Sequence, residues 1–214
     1  MPAPTLQSND VFLNCPYDEL FRPLYLAYIV GLVDLGLTPV ATLGIPNNAT
    51  RIQRIYDLIR ASRYSIHDLS RVQLTRTTLR VPRFNMPFEL GLAAAWSRER
   101  PQRHAFFIFE SVNRRGHKSL SDMAGTDFNI HGDAPQGIMR ELCSAFIRQS
   151  QRPTVPNMMR HFTLLNAAIP KLLLDNGADT VFEARTFDDL VLLAKEISAS
   201  DGTNLSNIKK SRLK

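Results

Sequence analysis

The sequence predicts an α/β fold: a doubly wound, mostly parallel sheet with a C-terminal helical extension. Two observations carry that prediction. Short apolar runs bounded by polar residues alternate with longer stretches in which apolar residues recur every three or four positions. Strands alternating with helices form βαβ units, which close into a parallel sheet covered on both faces.

The elements follow in order. Val11-Phe-Leu-Asn-Cys15 is a short buried strand. Asp18-Glu19 opens an amphipathic helix with Phe21, Leu24, Tyr28, Leu32 and Leu35 on its inner face; it ends at Gly36 and tolerates Pro23 near its first turn. Thr38 to Leu43 reads as a second strand. Thr50 caps a helix whose inner face is Ile52, Ile55, Tyr56 and Ile59. Tyr64 to Leu69 is a third strand, followed by an arginine-studded loop from Ser70 to Phe84. Asn85 caps the next helix, with Met86-Pro87 in its first turn and Leu90, Leu92, Ala93, Ala94 and Trp96 continuing it. His104-Ala-Phe-Phe-Ile-Phe109 is the clearest strand. Glu110 to Asp133 is loop-like, with three glycines and little periodicity. Ile138, Leu142, Ala145 and Phe146 mark a further helix. Met158, Phe162, Leu165 and Ile169 mark another, which Pro170 is expected to break or kink. A weak strand at Thr180-Val-Phe182 and a Thr186-capped helix through Ile197 complete the pattern. Residues 1–150 are expected to form the α/β body, 151–200 a helical extension packed on it, and 201–214 a frayed basic tail.

Composition narrows the function classes. The 214 residues are 44 % apolar and 21 % charged, ordinary for a globular protein. No apolar run reaches the length of a membrane-spanning helix, and residues 1–10 lack the pattern of a secretory signal. Cys15 and Cys143 form neither a disulfide framework nor a C-x-x-C pair. A cytoplasmic protein with reduced thiols and no membrane partner is therefore expected. The net charge of +6 is concentrated: residues 51–83 hold eight arginines against Asp57 and Asp68, which accounts for all of it. Arginine suits bidentate contact with phosphate, although a solvated basic face has the same signature. Nucleic acid is the less favoured partner, because the rest of the chain is neutral and the arginine loop after Ser70 lacks interleaved aromatics suited to stacking.

In parallel sheets, ligands bind beyond the carboxyl ends of the strands at a switch point. That rule selects Asn14 to Asp18, Asp68 to Arg71, and the loop leading to Asn85. Glu89 is the carboxylate of most interest, in Phe84-Asn-Met-Pro-Phe-Glu-Leu-Gly-Leu92. The helix N-terminus favours its charge and its apolar neighbours disfavour it. A plain acidic residue near a helix start is the alternative. Asp68 and Asn14 end strands, where turn-forming roles are also common. Tyr17 and Phe84 offer aromatic faces for a base, or simply core. His67 beside Asp68 lacks further ligands at metal spacing, so no metal site is expected. Neither G-x-x-x-x-G-K-[ST] nor G-x-G-x-x-G occurs, against an ordinary nucleotide kinase or dehydrogenase.

Three segments in one order, Val11-Phe-Leu-Asn-Cys-Pro-Tyr-Asp18, Ile66-His-Asp-Leu-Ser70 and Phe84-Asn-Met-Pro-Phe-Glu-Leu-Gly-Leu-Ala93, resemble the nucleoside 2-deoxyribosyltransferase-like group and the related bacterial TIR-like domains. The resemblance covers residues 10–110. It implies chemistry at an N-glycosidic bond, with NAD or a related nucleotide as substrate and no cofactor. Carried across, Glu89 is the nucleophile or cation stabiliser and Asp68 helps position ribose or base. Asn14, Tyr17, Arg71, Arg83, Phe84 and Asn85 are the candidate substrate contacts. The resemblance further implies a role in bacterial defence and a homo-oligomer whose subunits complete the pocket. The chain departs from some relatives where Asn14-Cys-Pro-Tyr-Asp18 replaces a glycine-rich phosphate loop. A non-catalytic nucleotide-sensing module of the same fold is the alternative.

Overall fold

The computed structural model describes residues 9–44, 50–71, 83–113, 120–123 and 125–211, with 201–211 as backbone only. Five strands, β1 (Asp10–Asn14), β2 (Thr38–Val40), β3 (Tyr64–Asp68), β4 (Ala105–Glu110) and β5 (Phe128–Ile130), form one sheet in the order β2-β1-β3-β4-β5. Every neighbouring pair is parallel. This is the doubly wound arrangement, and its order reverses between β1 and β3. Among the described residues six helices cover the two faces: α1 (Arg22–Asp34), α2 (Arg51–Ala61), α3 (Asn85–Glu99), α4 (Pro135–Ala145), α5 (Val155–Asn176) and α6 (Ala184–Ser211). None of the described helices is long and apolar enough to cross a membrane.

The two faces are unequal because α1 is apolar all round. Every residue from Leu24 to Asp34 is buried, and a helix of that kind has no face to give to water. It lies between the sheet and α4, α5 and α6, in a core that also takes Val11, Leu13, Ile66 and Phe109 from the strands. Gly31 lets α4 approach, since a Cβ there would press on the Leu142 side chain. Within this core, His161 of α5 sets Nδ1 2.9 Å from both carboxylate oxygens of Asp34. The extension therefore shares the body's core. Among the described residues the opposite face carries α2 and α3, which pack Ile55, Ile59 and Ala93 on Phe12.

The sequence reading requires several corrections. Asp18 accepts a hydrogen bond from the Phe21 N–H at 3.0 Å, and the helix proper starts at Arg22. The second strand stops at Val40, and Thr42–Gly44 forms a single 3-10 turn. Asn85 is the first helical residue; Phe84 holds the capping position without a side-chain cap. The loop-like stretch after Glu110 includes the edge strand β5, three residues being too short to show a period. Helix α5 continues through Pro170 without a break. Asn166, whose carbonyl loses its donor, and Pro170 are both exposed, so water meets the freed group. Thr180-Val-Phe182 is a turn: it has no neighbouring strand, and Val181 and Phe182 fill the core, Phe182 against Tyr25 at 5.1 Å. Thr186 lies buried inside α6 and caps nothing. Instead the Glu183 carboxylate accepts from the Asp179 and Thr180 N–H groups just before the helix. The helix does not end at Ile197, and its backbone runs to Ser211.

Candidate functional site

A cleft of about 320 Å³ opens beyond the carboxyl ends of β1 and β2, beside the start of α3. The end of β1 and the segment after it contribute Asn14, Cys15, Pro16 and Tyr17; the stretch after β2 contributes Thr42 and Arg51; the start of α3 and the residues before it contribute Arg83, Asn85, Met86 and Glu89. The fold dictates this position, because the crossovers leave β1 and β3 in opposite directions and the crevice forms between them. The volume sits at the small end of the range for small-molecule sites. It matches a nucleoside-sized group better than a whole dinucleotide.

Glu89 occupies a place where the helix pattern calls for an apolar residue. The buried residues of α3 are Met86, Glu89, Leu90 and Ala93, a single stripe at three- and four-residue spacing. Its side chain is 5 % exposed. Among the described residues no hydrogen bond or ion pair satisfies it. Burial raises its pKa from 4.5 to about 7, with the Arg51 guanidinium pulling the other way. A carboxylate held in this way is basic, poorly solvated and aimed at a cavity, the combination found where acids act on ligands.

Asp68 is placed differently. It shares the α1 side of β3 with Tyr64 and Ile66, since successive strand residues point to opposite faces. There the Tyr28 hydroxyl donates to Oδ2 at 2.6 Å and the Ser70 N–H donates to Oδ1 at 2.9 Å. His131 Nε2 lies 3.2 Å from Oδ2 and 2.9 Å from Ser70 Oγ. Because His131 Nδ1 accepts from the Asp133 N–H at 3.1 Å, the ring proton sits on Nε2 and faces the carboxylate. Gly137 makes room for this loop, since a Cβ there would overlap the His131 carbonyl. Asp68 is fully buried and absent from the cleft lining.

Of the other expected contacts, Asn14, Tyr17, Arg83 and Asn85 line the cleft with Glu89. Arg83 also reaches Asp18 at 2.9 Å. Tyr17 donates its hydroxyl to the Leu13 carbonyl at 3.4 Å, and burial pushes its pKa up. Arg71 pairs with Asp133 at 3.4 Å and Phe84 is 68 % exposed; neither lines the cleft. Arg76 and Arg80 of the basic loop lie outside the described residues. Sequence reading missed Arg51 and Thr42, which the carboxyl end of β2 brings in; the strand-end rule, applied to β2 as well, would have found them. Cys15 lines the cleft as a thiol whose pKa is raised by burial and then by Asp68, Glu89 and Asp18. Among the described residues, no group of three or more His, Cys, Asp and Glu is placed to hold a metal.

A second arrangement that sequence reading missed runs along the α3 side of the sheet. Asn14 Nδ2 lies 2.9 Å from His67 Nδ1 and 3.3 Å from the Met86 carbonyl. His67 Nε2 lies 2.9 Å from Ser65 Oγ, which is 3.0 Å from His104 Nε2. His104 Nδ1 reaches the Ser62 carbonyl at 3.0 Å. Burial, and then His104, lower the His67 pKa to about 3, so the ring is neutral. The signal in the sequence was the parity of Ser65 and His67, two polar residues on one face of a buried strand. No family model and no curated protein matches this chain.

Proposed function

We propose that this protein cleaves the N-glycosidic bond of NAD or a related nucleotide, with Glu89 as the carboxylate that faces the anomeric carbon. The observation that carries the reading is a buried carboxylate without a hydrogen-bond or ion-pair partner among the described residues, lining a nucleoside-sized cleft at the switch point of a doubly wound sheet. In its charged form Glu89 stabilises the oxocarbenium-like centre or bonds to it as the base departs with the electron pair of the broken C–N bond. Water or another base then takes the sugar. Arg51 and Arg83, the cations of the lining, suit a phosphate attached to that sugar, and Tyr17 supplies an aromatic wall. The resemblance to the deoxyribosyltransferase-like and TIR-like groups favours the same chemistry, self-assembly and a defence role.

One observation favours the alternative, a nucleotide-sensing module. Asp68 is committed to Tyr28, Ser70 and His131, which leaves Glu89 as the single carboxylate among the described residues of the lining. Release of free base from NAD and a nucleotide panel separates the two readings. It is measured over a wide protein concentration range with the natural chain and Glu89→Gln. Release that disappears in the variant supports the enzyme; ligand binding without release at any concentration supports the sensor.

A further inference from the structure

The hydrogen-bond chain behind the cleft has only one consistent direction. Both ends are backbone carbonyls, of Met86 and Ser62, and these only accept. At the far end, His104 must donate from Nδ1 to Ser62, so in its neutral form Nε2 accepts from the Ser65 hydroxyl. Ser65 Oγ then accepts from His67 Nε2–H, which leaves His67 Nδ1 as an acceptor. At the near end, Asn14 spends one amide hydrogen on the Met86 carbonyl and the other on His67 Nδ1. Rotating the amide by half a turn would set its oxygen against two acceptors. Both donors of Asn14 are therefore spent within the protein, and Oδ1 is the polar atom left for the cleft. Oδ1 makes no hydrogen bond among the described residues, although Asn14 is 5 % exposed and lines the cleft.

From this we infer that Asn14 is a specificity-determining residue that presents a fixed hydrogen-bond acceptor to the ligand, and that His67 is the positioning residue that fixes it. An acceptor in the same cleft as the Glu89 carboxylate makes the cleft a receptor for hydroxyl donors. It repels phosphate oxygens, which find the arginines elsewhere in the lining. The chemical class that fits is a sugar with its hydroxyls intact, so a ribosyl group is selected over a deoxyribosyl one. This inference rests on the glycosidic reading above and narrows its substrate.

Two measurements test it. Nitrogen-15 NMR of the histidine rings in the natural protein reads the tautomer directly: the proton of His67 is expected on Nε2, and a proton on Nδ1 overturns the inference. Calorimetry with ribose 5-phosphate and its 2-deoxy and 3-deoxy forms reads the consequence. At least one deoxy form is expected to bind roughly 10-fold more weakly, the effect of leaving one buried acceptor unmet. That ratio is expected to collapse in His67→Phe, which a purely structural role of the ring would not produce. Equal binding of all three sugars, or binding of none, overturns the inference. Base release without hydroxyl discrimination would leave the glycosidic reading standing and remove this one; discrimination without base release would do the reverse.

Discussion

Asp68 and Glu89 are both buried carboxylates near the carboxyl edge of one sheet, on opposite sides of it. Asp68 faces α1 and receives donors from Tyr28, Ser70 and His131. Glu89 faces the cleft and receives none among the described residues. Burial of a charge is unfavourable until donors offset it, so the first residue holds the fold together and the second works against it. Residues that cost stability and gain no structural partner are those a binding or catalytic role keeps in place.

The comparison is sharpest under isosteric amide substitution. The largest effect expected is on turnover: Glu89→Gln lowers base release by about 100-fold or more, the usual weight of one acting carboxylate, read by product chromatography. Next, Asp68→Asn turns an acceptor towards donors that it can no longer fully satisfy. It is expected to destabilise the protein by about 3 kcal/mol, a fall in midpoint of roughly 10 °C by calorimetry for a chain of this size.

Glu89→Gln has the opposite sign, and the sign depends on pH. The carboxyl pKa is raised from 4.5 to about 7 in the folded protein, so between those values the native state binds more protons than the unfolded one. The natural protein therefore loses stability as pH rises through that window. Glutamine does not titrate. In urea titrations the variant is expected to match the natural protein near pH 4 and to exceed it by up to about 3 kcal/mol at pH 8. A variant less stable at both pH values would break the comparison.

Two smaller effects concern the arginines of the cleft. If Glu89 acts as a carboxylate, base release rises with pH through about 7. Arg51→Ala removes the cation that lowers its pKa, so the midpoint of that pH–rate profile moves upward. Arg83 meets Asp18 at the surface, where such pairs contribute less than about 1 kcal/mol. Arg83→Ala is accordingly expected to leave the unfolding midpoint nearly unchanged while weakening the binding of phosphorylated ligands.

Much of the fold was legible because its signals are local. The apolar run at Ile108 and Phe109, the spacing of Ile55 and Ile59, and the alternation of strands with helices all reflect the period of one element. The lining of the candidate cleft was legible where it too is local: Glu89 sits in the apolar stripe of its own helix, and Asn14 and Tyr17 stand at and just beyond the end of the first strand. The role of Asp68 was harder to read. Its parity with Ile66 puts it on the α1 face, but Tyr28 and His131 reach it from distant parts of the chain. The same holds for Arg51, which the β2 crossover delivers. Helix α5 shows the converse limit. Pro170 is a strong local breaker, yet packing of Leu165 and Ile169 on the core holds the helix across it.

The most direct test measures urea stability at pH 8 and base release from NAD and the nucleotide panel on the same preparations of the natural protein and Glu89→Gln. A variant that is more stable than the natural protein and has lost base release is the predicted result. Base release from the variant at the natural rate would contradict the assignment of Glu89 to the reaction.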